Sequence, residues 1–122
     1  MRNSTVIAAI AAALTDLSGI LSDGRQSGWP TLPEKFDRTA HKENVMSILP
    51  YFDCAHFAAR VKIPTRWMVG FIDDLCPPAA VWAGYNSLPP DSDAKMFNNP
   101  GLGHGFPRKL YEKGLKRLEA SW

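Results

Sequence analysis

Apolar residues in this chain come in short runs separated by stretches rich in glycine, proline and charge. Short apolar runs bounded by turn residues read as buried strands, and apolar residues three and four apart read as one face of a helix. Val6 to Ala13 is the first strand candidate, although its alanines are poor strand formers. From Asp16 to Phe36 the chain holds Gly19, Gly24, Gly28, Pro30 and Pro33 and reads as one long loop. The spacing then predicts a helix over 39–49 with Val45, Ile48 and Leu49 on one side. It should stop before Pro50, because the residue preceding a proline is pushed out of the α region. A shorter helix is expected over 53–60, with Asp53 as its N-cap.

Arg66 to Gly70, centred on Trp67, Met68 and Val69, is the second strand candidate, and its end delivers Asp73. Pro77-Pro78 suits the first turn of a helix, where the amide that proline lacks would be unpaired anyway. Val81, Trp82, Tyr85 and Leu88 continue it at helical spacing until Pro89-Pro90. Ala94 to Asn98 is a short final strand, 99–105 a loop rich in turn residues, and Leu110, Tyr111, Leu115 and Leu118 mark a closing amphipathic helix. Strands that alternate with helices give an α/β fold with a parallel sheet. At 122 residues the chain has room for one such domain, 1–122.

Hydrophobic content of 45%, with four tryptophans and six phenylalanines, is that of a protein with a packed core. A net charge of +2 is too small to imply nucleic acid as a partner. Arg108, Lys109, Lys113, Lys116 and Arg117 read as the wet face of the last helix, where cations suit the dipole. Met1-Arg2 followed by the apolar run to Leu14 has the form of a signal peptide, but a buried parallel strand has the same form. The run is too short to span a membrane, and the strand reading, with a cytoplasmic location by default, is the one adopted. Cys54 and Cys76 lie in apolar stretches and are expected to be buried thiols outside any disulfide. Cys54-Ala55-His56 invites a metal reading, yet no second closely spaced ligand pair accompanies it, so no metal is expected.

In open α/β sheets, sites form beyond the carboxyl ends of the strands. An acid just after one strand and a histidine in the loop after the next can meet there, which singles out Asp73 and His104. The acid would hold the imidazole tautomer while the other ring nitrogen takes a proton from a nucleophile. Other readings stand beside this one: an aspartate after a strand is often only a helix N-cap, and Asp74 could serve as one ahead of Pro77. His104, flanked by glycines, could be a plain exposed loop residue. His41 is expected to be solvated, and His56 to pack on its short helix.

The segments Tyr51-Phe52-Asp53-Cys54-Ala55-His56-Phe57, Val69-Gly70-Phe71-Ile72-Asp73 and Cys76-Pro77-Pro78-Ala79-Ala80-Val81-Trp82-Ala83-Gly84-Tyr85-Asn86 resemble the acetyl xylan esterase and cephalosporin C deacetylase family. Gly24-Arg25-Gln26-Ser27-Gly28-Trp29-Pro30 resembles a further segment of one branch of that family. The resemblance implies the C-terminal part of an α/β-hydrolase fold, with Asp73 and His104 as the acid and histidine of a catalytic triad. It also implies deacetylation of acetylated sugars without a cofactor, and an oligomer of like chains. The departure is the nucleophile. A hydrolase of this fold carries its serine on a Gly-x-Ser-x-Gly elbow, and no such motif occurs; Gly24-Arg25-Gln26-Ser27-Gly28 sets the glycine one residue too far back. Three expectations follow: a segment of a deacetylase, half of a split enzyme completed by a serine-bearing chain, or a module that binds acetylated sugar without turnover. Trp29 and Trp82 are candidates for packing or for a substrate rim, with packing preferred for Trp82.

Overall fold

The computed structural model describes residues 15–22 and 38–105, together with positions 108, 109, 112 and 116. In chain order the elements are helix α1 (Leu17–Ser22), helix α2 (Lys42–Ile48) running into a 3-10 turn (Leu49–Tyr51), helix α3 (Cys54–Ala58), strand β1 (Thr65–Gly70), helix α4 (Pro78–Asn86) and strand β2 (Ala94–Asn99). Among the described residues the sheet is two-stranded, and β1 pairs with β2 in parallel from Thr65 opposite Ala94 to Gly70 opposite Asn99. Parallel neighbours need a crossover, and α4 is that crossover. The α/β expectation of a parallel sheet with helices therefore holds.

Two features let α4 lie on the sheet. Pro78 stands at its first helical position, and Ala80, Val81 and Gly84 form its buried face. A Cβ added to Gly84 would lie 3.1 Å from the Trp67 ring and 3.2 Å from Thr15 Cγ2, so the missing side chain sets how closely the helix approaches β1. Trp67, Val69 and Val81 form the core of this layer, with Cys76, Trp82, Tyr85, Leu88 and Met96 packed around it. Tyr85 meets Trp67 and Trp82 edge to face at 5.9 and 5.4 Å between ring centres, so Trp82 packs as expected. The Trp67 ring N–H donates to Thr65 Oγ1 at 3.0 Å, which satisfies its polar edge. The helix ends at Asn86, short of Leu88, with the Ser87 hydroxyl donating to the Ala83 carbonyl at 2.8 Å.

Helices α1 and α3 are joined through one carboxylate. Asp53 is buried, and its side chain accepts the Ala55 amide at 2.9 Å as the N-cap of α3. It also accepts the amides of Asp16 at 3.0 Å and Leu17 at 2.9 Å, which ties the start of α1 to the start of α3. Leu17, Ile20 and Leu21 are buried, the three-and-four spacing of a helix face. The reading of 16–36 as one loop is thus corrected: its first residues are helical, because a buried apolar stripe and a distant cap outweigh the glycines around them. Two further findings concern α2. Its apolar face buries no residue, with Ile48 52% exposed. The α-helix does stop before Pro50, at Ile48, as expected; the chain then runs on into the 3-10 turn, where Leu49 keeps α-region angles and Pro50 stands at a position that needs no amide.

The strand expected over 6–13 lies outside the described residues, as do Ser27 and Trp29. Of the expected closing helix only Glu112 and Lys116 are described; both are helical and exposed, as are Arg108 and Lys109 before them. Arg108 pairs with Glu112 one turn on at 3.0 Å. No helix among the described residues is long and apolar enough to cross a membrane.

Candidate active site

The two loops that leave the carboxyl ends of β1 and β2 are bound to each other by backbone. The Phe71 amide donates to the Asn99 carbonyl at 3.1 Å, the Ile72 amide to the Leu102 carbonyl at 3.2 Å, and the Leu102 amide to the Asn99 carbonyl at 3.1 Å. Gly70 makes this possible. A Cβ there would run into the Leu102 carbonyl oxygen and lie 2.9 Å from that of Gly103, so only a glycine lets the second loop close over the end of β1. Gly105 takes a φ of +150, a conformation that favours glycine, immediately after His104.

Within this frame His104 Nδ1 lies 3.2 Å from both Asp73 Oδ1 and Asp73 Oδ2. The carboxylate is itself fixed, because Oδ1 accepts the amides of Leu75 at 2.9 Å and Cys76 at 2.8 Å. The Asp73 side chain is 11% exposed and that of His104 48%. A held acid therefore sits beneath a reachable base. With the proton on Nδ1, the ring donates to Asp73 and keeps its Nε2 lone pair for an incoming proton. In the loop that carries Asp73, the apolar residues Phe71, Ile72 and Leu75 are exposed.

The structure brings together the two residues singled out from sequence, 31 positions apart. It does not give Asp74 a capping role: the N-cap of α4 is Pro77, with no side-chain cap, and Asp74 is exposed. His41 is exposed as expected, whereas His56 is exposed instead of packed, because the buried residue of α3 is Ala58. Cys54 and Cys76 are outside any disulfide but only half-buried. Burial, with a lesser contribution from the Asp53 charge, raises the pKa of the Cys54 thiol.

Sequence reasoning missed the third member of the site. The Sγ of Cys76, a carboxylate oxygen of Asp73 and a ring nitrogen of His104 all lie within 4.8 Å of one another. The available signal was the Asp-x-x-Cys spacing in a turn whose aspartate accepts the cysteine amide. By contrast Cys54 and His56, the pair weighed for metal from sequence, belong to no ligand cluster among the described residues.

A parallel β-α-β unit with an acid after its first strand and a histidine after its second is the arrangement of an α/β hydrolase. Residues 34–106 match the acetyl xylan esterase family, and the chain belongs to it. Acetyl esterase Axe7A of Xylanibacter ruminicola is 34% identical over 79 residues, 62% of this chain and 17% of that protein. Among solved structures, acetyl xylan esterase 1 from Thermoanaerobacterium sp. JW/SL YS485 superposes with a TM-score of 0.72 at 25% identity, covering 84% of this chain and 33% of that one. The acetyl xylan esterase from Paenibacillus sp. R4 gives a TM-score of 0.76 at 23% identity, over 88% of this chain and 34% of that one, and shows the shared fold. The chain thus spans about a third of the solved relatives and a smaller share of the curated one.

Proposed function

We propose that this chain carries the acid and the histidine of a serine esterase that removes acetyl groups from acetylated xylan or xylo-oligosaccharides. The observation that carries the reading is the bond between Asp73 and His104 Nδ1, which leaves Nε2 free to act as base. Family membership and the acetyl ester substrates in the names of its relatives give the reaction class. A serine from outside the 122 residues, on the same polypeptide or on a partner, would attack the acetyl carbonyl as His104 takes its proton. Asp73 would stabilise the resulting imidazolium, and His104 would then protonate the departing sugar alcohol. Water activated by His104 would release acetate and restore the serine. The exposed apolar residues Phe71, Ile72 and Leu75 beside Asp73 fit a surface that the serine-bearing part covers.

The test compares hydrolysis of a chromogenic acetate ester by the chain, by its His104→Ala variant, and by each co-expressed with the serine-bearing portion of a family member. Alone, the two chains should give the same background rate. With the serine supplied, turnover should arise only for the unaltered chain, since loss of a triad histidine costs about a million-fold. Turnover by the chain alone that His104→Ala abolishes would overturn the shared-site reading and point to Ser27. Binding of acetylated xylo-oligosaccharide with no turnover in any combination would favour a binding module.

A further inference from the structure

We propose that Asp73, Cys76 and His104 form a site for a thiophilic divalent cation of the zinc type. The donor set is a carboxylate, a thiol and an imidazole, which is the ligand chemistry of zinc. The geometry is close to what such an ion requires. Oxygen and nitrogen ligands about 2.0–2.1 Å from a tetrahedral ion stand roughly 3.3 Å apart, and Asp73 Oδ2 and His104 Nδ1 are 3.2 Å apart. All three ligand atoms lie within 4.8 Å; a sulfur about 2.3 Å from the ion stands roughly 3.6 Å from the other two ligands, so bringing it in takes a shift of up to about 1.2 Å at the Cys76 side chain.

The surroundings fit an ion that enters from solvent. His104 is exposed while Asp73 and Cys76 are half-buried, so the ligands make a cup open on the imidazole side, and a water completes the tetrahedron. Asp73 is already oriented by the Leu75 and Cys76 amides on Oδ1, which leaves Oδ2 to the ion and supplies the outer bonds that hold a metal-bound carboxylate. Coordination takes the Nδ1 lone pair, so the ring proton moves to Nε2, and the Cys76 thiol proton is released to solvent. The ion thereby removes the Nε2 lone pair that the proposed esterase would use, and acts as an inhibitor held by the site's own acid and base. That consequence rests on the esterase reading; binding of the ion does not.

The experiment is a titration of the full reduced chain with Co²⁺, followed by displacement with Zn²⁺. One equivalent should produce the charge-transfer absorption of a cobalt-thiolate bond, and Zn²⁺ should abolish it. Cys76→Ser should remove that absorption and weaken Zn²⁺ binding by at least about tenfold, the smallest cost of disturbing a metal site. Cys54→Ser should leave both unchanged. A second readout is independent of how the variants fold: in the unaltered chain Zn²⁺ should shield Cys76 from alkylation while Cys54 reacts at its usual rate. Absence of the thiolate absorption, its persistence in Cys76→Ser, or equal alkylation of Cys76 with and without Zn²⁺ would overturn the proposal. None of these readouts involves ester hydrolysis, so a chain that binds the ion yet never supports turnover sinks the esterase reading alone.

Discussion

The two halves of the molecule are held in different ways. From Thr65 to Gly105 the chain is fixed by a parallel strand pair, a crossover helix set on Trp67 through Gly84, and backbone bonds between the loops that carry Asp73 and His104. Before Thr65 the described helices are short, α2 buries nothing, and a long-range bond set that joins α1 to α3 converges on Asp53. The first region spreads its stability over many bonds that reinforce one another. The second rests on the buried face of α1 and on the bonds that meet at the Asp53 carboxylate. Substitutions in the second half should therefore loosen a local element, whereas the right substitution in the first should disturb the site as a whole.

The largest effect is expected at Gly70. An alanine there must push the Leu102 carbonyl away, and backbone yields less readily than a side chain. Gly70→Ala should destabilise the fold by about 3 kcal/mol, the upper range for forcing atoms into a packed space. It should also speed amide exchange at Ile72 and Leu102, whose bond joins the two loops. A urea midpoint unchanged from that of the unaltered chain would mean that the loops are not held as tightly as their bonds suggest.

Asp53 comes next. Removing a buried carboxylate that accepts three amides forfeits an N-cap and leaves donors unpaired, so Asp53→Ala should cost about 2 kcal/mol. The contrast with Gly70 lies in the pattern. Exchange should rise at Leu17 and Ala55 and stay slow in β1. At the other extreme, Ile48→Ser on the uncovered face of α2 should shift stability by less than about 0.5 kcal/mol. A larger loss in the isolated chain would show that α2 is covered by something the described residues do not include.

The same contrast explains what could be read from the sequence. β1 was legible because a strand flanked by a crossover helix is apolar on both faces, and Trp67-Met68-Val69 announces that. α4 was legible from its opening prolines and the spacing of Val81, Trp82 and Tyr85. With two parallel strands placed, the meeting of Asp73 and His104 beyond their ends followed from topology. What was not legible depended on partners far along the chain. The helix Leu17–Ser22 is six residues long inside a glycine-rich stretch, and its cap comes from 36 positions away. The apolar spacing of α2 was visible, but periodicity says only that a face is apolar, not that anything covers it. Cys76 escaped because its partnership with His104 exists only once the two loops are tied together.

The smallest expected effect sharpens the comparison at the edge of the strand pair. Arg66 forks onto Asp93, with Nη1 at 3.0 Å from Oδ1 and Nη2 at 3.3 Å from Oδ2, and so clips the entry to β2 against β1. The hydrogen bonds from Arg66, more than its charge or that of Lys95, hold the Asp93 carboxyl below its ordinary value. A carboxylate whose folded value is depressed contributes stability above its unfolded value of about 3.9, and that contribution fades as pH falls through the lower folded value. Asp93→Asn should therefore be slightly less stable than the unaltered chain near neutral pH, and the gap should close below about pH 4. Added salt should shrink the gap as well, because Asp93 is exposed and the pair is screened. Urea midpoints of the two chains across this range give the answer. No gap even at neutral pH would assign the clip to the bonds from Arg66 Nη1 to the carbonyls of Thr65 and Asp93, which both chains keep.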